Sequence, residues 1–192
     1  ESELDTIEFR EADPFHVSEE VKTELRRVFP YWKNKTTSEL ASSYMAPEAQ
    51  MAIEHNMFTP GNYYYNGVGH YTADYGKVIG IGYKGIIAEV EAELEKCDVA
   101  DADYAKRHEF LESVIISCKA VINYARRYAE LAYETAKNCS DPVRKQELLI
   151  IAKNCAHVPE NPAEDFYEAC QSFWFVQMLL QMESSGHSIS PG

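Results

Sequence analysis

"YYYNGVGHYTADYGKVIGIGYKGI", running from Tyr63 to Ile86, decides the fold, because it contains a literal G-x-G-x-x-G at Gly80, Gly82 and Gly85. A dinucleotide-binding βαβ unit needs a β-branched strand leading into a tight turn, and an acidic residue about 20 positions later to read the ribose. What precedes Gly80 is instead a loop of Tyr, Asn and Gly, while Val78, Ile79, Ile86, Val90 and Leu94 keep helical spacing across the glycines. The stretch therefore reads as a loop followed by a helix from about Tyr75 to Lys96. Each glycine in a helix interior costs roughly 1 kcal/mol against alanine, so three of them imply close contact with another backbone as compensation.

The same helical period dominates on both sides. Upstream, residues 1–17 read as an extended lead-in with a turn at "ADPF". Ser18 then caps "EEVKTELRRVF", and Pro30 is expected to stop it. A short helix follows Thr37, and Pro47 opens a third that fades near His55. From Thr59 to about Asp74 there is no period, which predicts a loop. Downstream, Phe110, Leu111, Val114, Ile115, Cys118, Val121, Ile122, Ala125, Ala129, Ala132 and Ala136 form one stripe from about Asp103 to Asn138. Asp141 before Pro142 starts the next helix, and Asn161 before Pro162, with Glu164 three residues on, is expected to start the last. That last helix, "AEDFYEACQSFWFVQMLLQME", is apolar around most of its circumference and is expected to be deeply buried. The fold class is mainly α, with no convincing strand and no internal domain boundary over 1–192.

Composition narrows the function classes. The 192 residues carry 31 acids against 18 Lys and Arg, a net charge of −13 that repels a phosphate backbone, so nucleic acid is not an expected partner. Apolar runs such as "LLII" and "FWFV" fall far short of the ~20 residues that span a membrane. The start shows no basic segment followed by an apolar one, so no secretory signal is read there. Cys97, Cys118, Cys139, Cys155 and Cys170 include no zinc-type pair, and their odd number reads as reduced thiols in the cytoplasm, mostly small apolar fillers on helices.

Two polar, glycine-bearing segments stand out from this helical background. The first holds Asn66, Gly67, Gly69, His70 and Asp74; the glycines allow a ligand close to the backbone. His70 and Asp74 lie four apart but lack a neighbouring third metal ligand unless folding brings His157 or His187 to them, so no metal is expected. The second segment runs from Glu183 to Ser190 and includes His187 and Ser188; a C-cap around Gly186 is the plain structural alternative. With no G-x-S-x-G elbow, a serine triad is discarded.

Taken together, "NYYYNGVGHYTADYGKVIGIGYKGI" and "CAHVPENPAEDFYEACQSFWFVQMLLQMESSGHSISPG", in that order, resemble the glycyl radical enzyme family, the pyruvate formate-lyase relatives. The first matches the family's aromatic loop and G-H-x-x-x-D-Y. The second matches its V-P-x-x-P-A, E-A-x-Q, W-F and E-S/N-G-H-S run. The lead-in "VSEEVKTELRRVFPYWKNKT" fits as well. The resemblance implies that this chain is the helical N-terminal part of a ten-stranded α/β barrel in a protein several times longer. It implies a protein-borne glycyl radical beyond this chain, installed by an activating enzyme that uses S-adenosylmethionine and an iron-sulfur cluster, with no cofactor bound directly here. None of the five cysteines matches the family's catalytic motif, so the isolated chain is expected to be inactive. The other implied partners are a small polar substrate, the remainder of the barrel and a second copy in a homodimer.

The resemblance also assigns residues. Where pyruvate formate-lyase binds a carboxylate through arginine, this chain has His70, a poorer carboxylate clamp but a good partner for a hydroxyl. In the family's glycerol and propanediol dehydratases, the residues matching His70 and Ser188 contact substrate hydroxyls. His70, Ser188 and Asn66 are therefore expected to bind substrate, with Asp74, Glu183 and His187 supporting the loops, in a radical C–O lyase of a small diol. Choline, hydroxyproline or sulfonate cleavage, formate C-acetyl transfer, and a non-catalytic helical interaction protein are the alternatives.

Overall fold

The computed structural model describes residues 3–59, 69–183 and 189–190, and the chain divides into two compact units, 1–67 and 68–192. The architecture is mainly α, with no strand among the described residues.

In the first unit, a single 3-10 turn, Ile7–Phe9, precedes α1 (Glu19–Trp32), α2 (Thr37–Ser43) and α3 (Pro47–Glu54). The lead-in is not simply extended, because charge pins it to α1. Arg26 grips Asp5 through two hydrogen bonds of 2.7 and 2.8 Å, and the nearly buried Lys22 ammonium lies 2.8 Å from Glu19 and 3.8 Å from both Asp5 and Glu8. The expected cap at Ser18 is present, its Oγ accepting from the Val21 amide. Pro30 does not stop α1, which continues two residues further. So near the C-terminal end, proline forfeits one backbone bond without the rest of a helix to break. Thr36 and Glu39 form a reciprocal capping box at α2, and Pro47 is the first residue of α3.

The second unit contains α4 (Tyr75–Leu94), α5 (Tyr104–Asn138), α6 (Pro142–His157) and α7 (Phe166–Glu183). Helices α5 and α6 are joined by only a few residues, and Asp141 caps α6 by accepting from the Val143 and Arg144 amides. Ala125, Ala129, Ala132 and Ala136 are all buried on α5. Their small side chains let neighbouring helices approach closely. Ala125 and Ala129 join Cys155 of α6 and Phe175 of α7 in one core cluster, with Tyr124, Ile151 and Met178 packed on it. A second cluster of Tyr75, Val78 and Val176 fastens α4 to α7.

Two expectations for α7 are corrected. It begins at Phe166, because Asn161 is already engaged, donating its side-chain amide to the His157 carbonyl. Asp165 caps it instead by accepting from the Glu168 amide, and the Glu168 carboxylate reaches back to the Glu164 amide at 2.9 Å. Nor is α7 buried all round. Glu168, Ser172, Phe175 and Val176 are covered, whereas Phe166, Tyr167, Trp174 and Met182 are exposed. Its apolar circumference exceeds what α4, α5 and α6 cover.

The G-x-G-x-x-G resolves as a break in α4. Gly82 has φ +65° and ψ 170°, so the helical runs on either side are interrupted there. The backbone groups released by the break are re-paired with residues 159–163. Tyr83 and Lys84 donate to the Pro159 and Glu160 carbonyls at 2.8 and 2.9 Å, and the Ile79 carbonyl accepts from Ala163 at 2.9 Å. A Cβ on Gly82 would lie 2.4 Å from the Glu160 oxygen and 2.5 Å from the Asn161 carbonyl carbon. Close backbone contact therefore explains Gly82. It does not explain Gly80, around which a Cβ would meet nothing within 4 Å, nor Gly85, whose neighbour is the Ile81 side chain of its own helix.

Candidate functional site

The loop before α4 is shaped at three points. His70 is exposed and holds φ +56°, a left-handed conformation uncommon for residues other than glycine, although Asn, Asp and His adopt it more often than most. Tyr71 then pairs with Ile189 in a parallel β-bridge, the Ser190 amide donating to the Tyr71 carbonyl at 3.2 Å. Asp74 closes the loop as the cap of α4, its Oδ1 accepting from the Lys77 amide at 3.0 Å.

The bridge ties together two segments 118 positions apart, and a polar link from the helices reinforces it. Gln177, on α7, donates from Nε2 to the Ile189 carbonyl at 3.1 Å, while its Oε1 accepts from the Tyr75 hydroxyl. Tyr75 is buried, its ring 4.8 Å from that of Phe173, and burial, with Tyr71 nearby, pushes its phenol above the ordinary range, so it stays a protonated donor. Ile189 is buried as well. One end of α4 and the α7 residue Gln177 thus converge on Ile189 where it meets Tyr71.

Of the predicted site residues, His70, Asp74 and Glu183 are described. His70 directly precedes the bridged Tyr71. Glu183 is the exposed last residue of α7 and lines an apolar groove with Tyr83, Phe110 and Leu180. Asn66, His187 and Ser188 lie outside the described residues; Ser188 directly precedes the bridged Ile189 in sequence. His157 does not join His70. Its Nδ1 is 3.0 Å from the buried Glu168 carboxylate, which satisfies an otherwise costly charge together with the Glu164 amide. Among the described residues no three His, Cys, Asp or Glu side chains are grouped to hold a metal, and no helix is long and apolar enough to cross a membrane. Sequence reasoning missed Gln177 and Tyr75. The signal available was the lone amide of Gln177 in "FWFVQMLL", because a polar group in such surroundings has to find a partner.

The five thiols are free. Burial pushes Cys118 up and Cys155 up to about 11, which leaves both as inert packing groups, whereas Cys170 is exposed.

Comparison with known proteins extends this geometry. A family model described as pyruvate formate lyase-like matches residues 1–192. A (2S)-3-sulfopropanediol dehydratase of Klebsiella oxytoca is 36% identical over 97% of this chain and 23% of its own length. A solved structure concerning 1,2-propanediol dehydration in Roseburia inulinivorans is 59% identical with a TM-score of 0.84, covering 100% of this chain and 23% of that one. The glycerol-bound B12-independent glycerol dehydratase of Clostridium butyricum is 54% identical with a TM-score of 0.83, over 99% of this chain and 24% of its own. The chain therefore spans about a quarter of the length of each of these relatives.

Proposed function

This chain belongs to the pyruvate formate lyase-like family, and on that premise we propose that it is the N-terminal portion of a glycyl radical dehydratase acting on a small diol such as glycerol or 1,2-propanediol. Residues 1–192 then form part of a single domain, covering the family's barrel only in part. His70 and Ser188, with Asn66 beside them, hold the substrate hydroxyls, and Asp74, Glu183 and His187 support the loops. The carrying observation is the Tyr71–Ile189 bridge, which joins the residues immediately after positions 70 and 188. The degree of identity to the two diol-related structures supports the substrate class.

The chemistry follows from how a diol must be held. The protein radical of the full-length enzyme would supply reversible hydrogen-atom abstraction at one carbon. The neighbouring hydroxyl would leave as water on gaining a proton, the retained hydroxyl would give up its own to become a carbonyl, and the hydrogen atom would return to the product. Fixing both oxygens turns a flexible substrate into one whose C–H and C–O bonds are already aligned, and that pre-orientation is worth several kcal/mol of barrier. An imidazole nitrogen and a serine hydroxyl can each donate to or accept from an alcohol, as two hydroxyls require. The radical glycine, its cysteine and the S-adenosylmethionine-dependent activating enzyme belong to the full-length system, which works as a cytoplasmic homodimer in this proposal.

The test is His70→Ala in the anaerobically activated full-length enzyme. We expect kcat/KM for glycerol and 1,2-propanediol to fall at least about tenfold, the cost of roughly one charge-assisted or buried hydrogen bond. Unchanged values for both diols, or turnover of choline, hydroxyproline or a sulfonate in their place, would remove the diol assignment. Product formation by the isolated 192-residue chain would contradict its reading as an incomplete portion.

A further inference from the structure

We infer that Gln177, acting with Tyr75, is a positioning residue that sets the spacing between the two substrate loops; this rests on the diol reading above. Gln177 sits within α7 and uses both ends of its amide. Nε2 holds the carbonyl of Ile189, the residue after Ser188, and Oε1 holds the hydroxyl of Tyr75, the first residue of the helix that ends the His70 loop. Tyr75 cannot shift easily, since it is buried against Phe173, Val78 and Val176.

The link explains an arrangement that packing alone does not. The Tyr71–Ile189 bridge is an isolated one, and the few backbone bonds of such a pairing, the one from Ser190 to Tyr71 among them, each contribute only modestly net of solvent competition. His70 also holds φ +56°, a left-handed turn next to the bridge whose position depends on how its flanking residues are held. Gln177 holds Ile189 on one side of the bridge, and Asp74, as helix cap, fixes the end of the His70 loop on the other. Neither Gln177 nor Tyr75 needs to touch substrate: what they hold is Ile189 against the start of α4, next in sequence to the two residues proposed to bind the diol hydroxyls.

The experiment measures KM and kcat for 1,2-propanediol in the activated full-length enzyme, for Gln177→Leu alone, His70→Ala alone and the two combined. If Gln177 acts through the loops, Gln177→Leu raises KM about tenfold with kcat changed far less. In the His70→Ala background it adds less than about threefold, because the advantage of a fixed spacing disappears once one of the two holding points is gone. A merely structural role predicts full multiplication of the two factors, and that result overturns the inference. Tyr75→Phe, which deletes one oxygen and keeps the ring packing, guards against a folding defect; it should move KM in the same direction, and no change in KM also overturns the inference. In the full-length enzyme, hydrogen exchange at the Ser190 amide should quicken in both variants, and unchanged protection counts against the link itself. The two readings fail differently. Kinetics left unchanged by His70→Ala bring down the diol assignment and this inference with it, whereas a drop in kcat/KM for His70→Ala beside unchanged kinetics for Gln177→Leu brings down the inference alone.

Discussion

Replacing Gly82 with alanine should be among the most damaging single-methyl additions to this chain, and replacing Gly80 with alanine should stabilise it. At Gly82 the backbone holds φ +65° and ψ 170°, a region essentially reserved for glycine, where another residue costs about 1–3 kcal/mol. The added Cβ would also meet the Glu160 oxygen at 2.4 Å and the Asn161 carbonyl carbon at 2.5 Å. Both are backbone atoms and cannot swing aside as a side chain would. Relieving the clash separates α4 from residues 159–161 and weakens the bonds from Tyr83 to Pro159 and from Lys84 to Glu160, each worth about 0.5–1.5 kcal/mol net. The expected loss is about 3–5 kcal/mol, a large share of the 5–15 kcal/mol typical of a domain. Gly80 is helical with open space around it, so alanine there should gain up to about 1 kcal/mol from propensity. Urea unfolding of both variants and the parent, followed by helical circular dichroism, measures the contrast. Equal midpoints for the two substitutions, or a Gly82→Ala variant within about 0.5 kcal/mol of the parent, would refute the account of the break.

Two further outcomes follow from the core. Phe175→Ala should cost about 3–5 kcal/mol, since Phe175 is buried where Ala125, Ala129 and Cys155 meet; a loss below about 1 kcal/mol in the same assay would mean the site is not a packed core. The Cys155 thiol is raised in the folded state to about 11, so above the ordinary thiol range the unfolded chain releases a proton that the folded chain keeps. Its contribution to stability is therefore full below that range and is lost as pH climbs toward about 11. In the native protein at pH 8 a thiol reagent should modify exposed Cys170 first and reach Cys118 and Cys155 only on unfolding, as mass spectrometry of the labelled peptides would show.

The long stripe from Phe110 to Ala136 gave α5 within a residue of its observed ends, because one unbroken apolar face admits a single reading. Ser18 and Asp141 were legible for a different reason: each offers a side-chain oxygen where a helix has unpaired amides. Asn161 misled because the same N-P-x-E pattern also occurs when the asparagine has bonded the preceding helix. The glycines showed that a backbone must come close, yet not that only Gly82 meets one, since periodicity cannot register a positive φ. Helix α7 showed how apolar it is but not which of its faces this part of the chain covers. At the candidate site, His70 and Asp74 drew notice by residue type and glycine company. The pairing of Tyr71 with Ile189, and the amide that holds it, joins positions too far apart for any local pattern to report.

The central claim is that the His70 and Ser188 segments hold the two hydroxyls of one diol. A crystal structure of the full-length enzyme soaked with glycerol or 1,2-propanediol tests it most directly. The account predicts one substrate oxygen within about 3.2 Å of the His70 imidazole and a second within about 3.2 Å of the Ser188 Oγ. A diol bound with neither oxygen near these residues, while the enzyme turns it over, would contradict it.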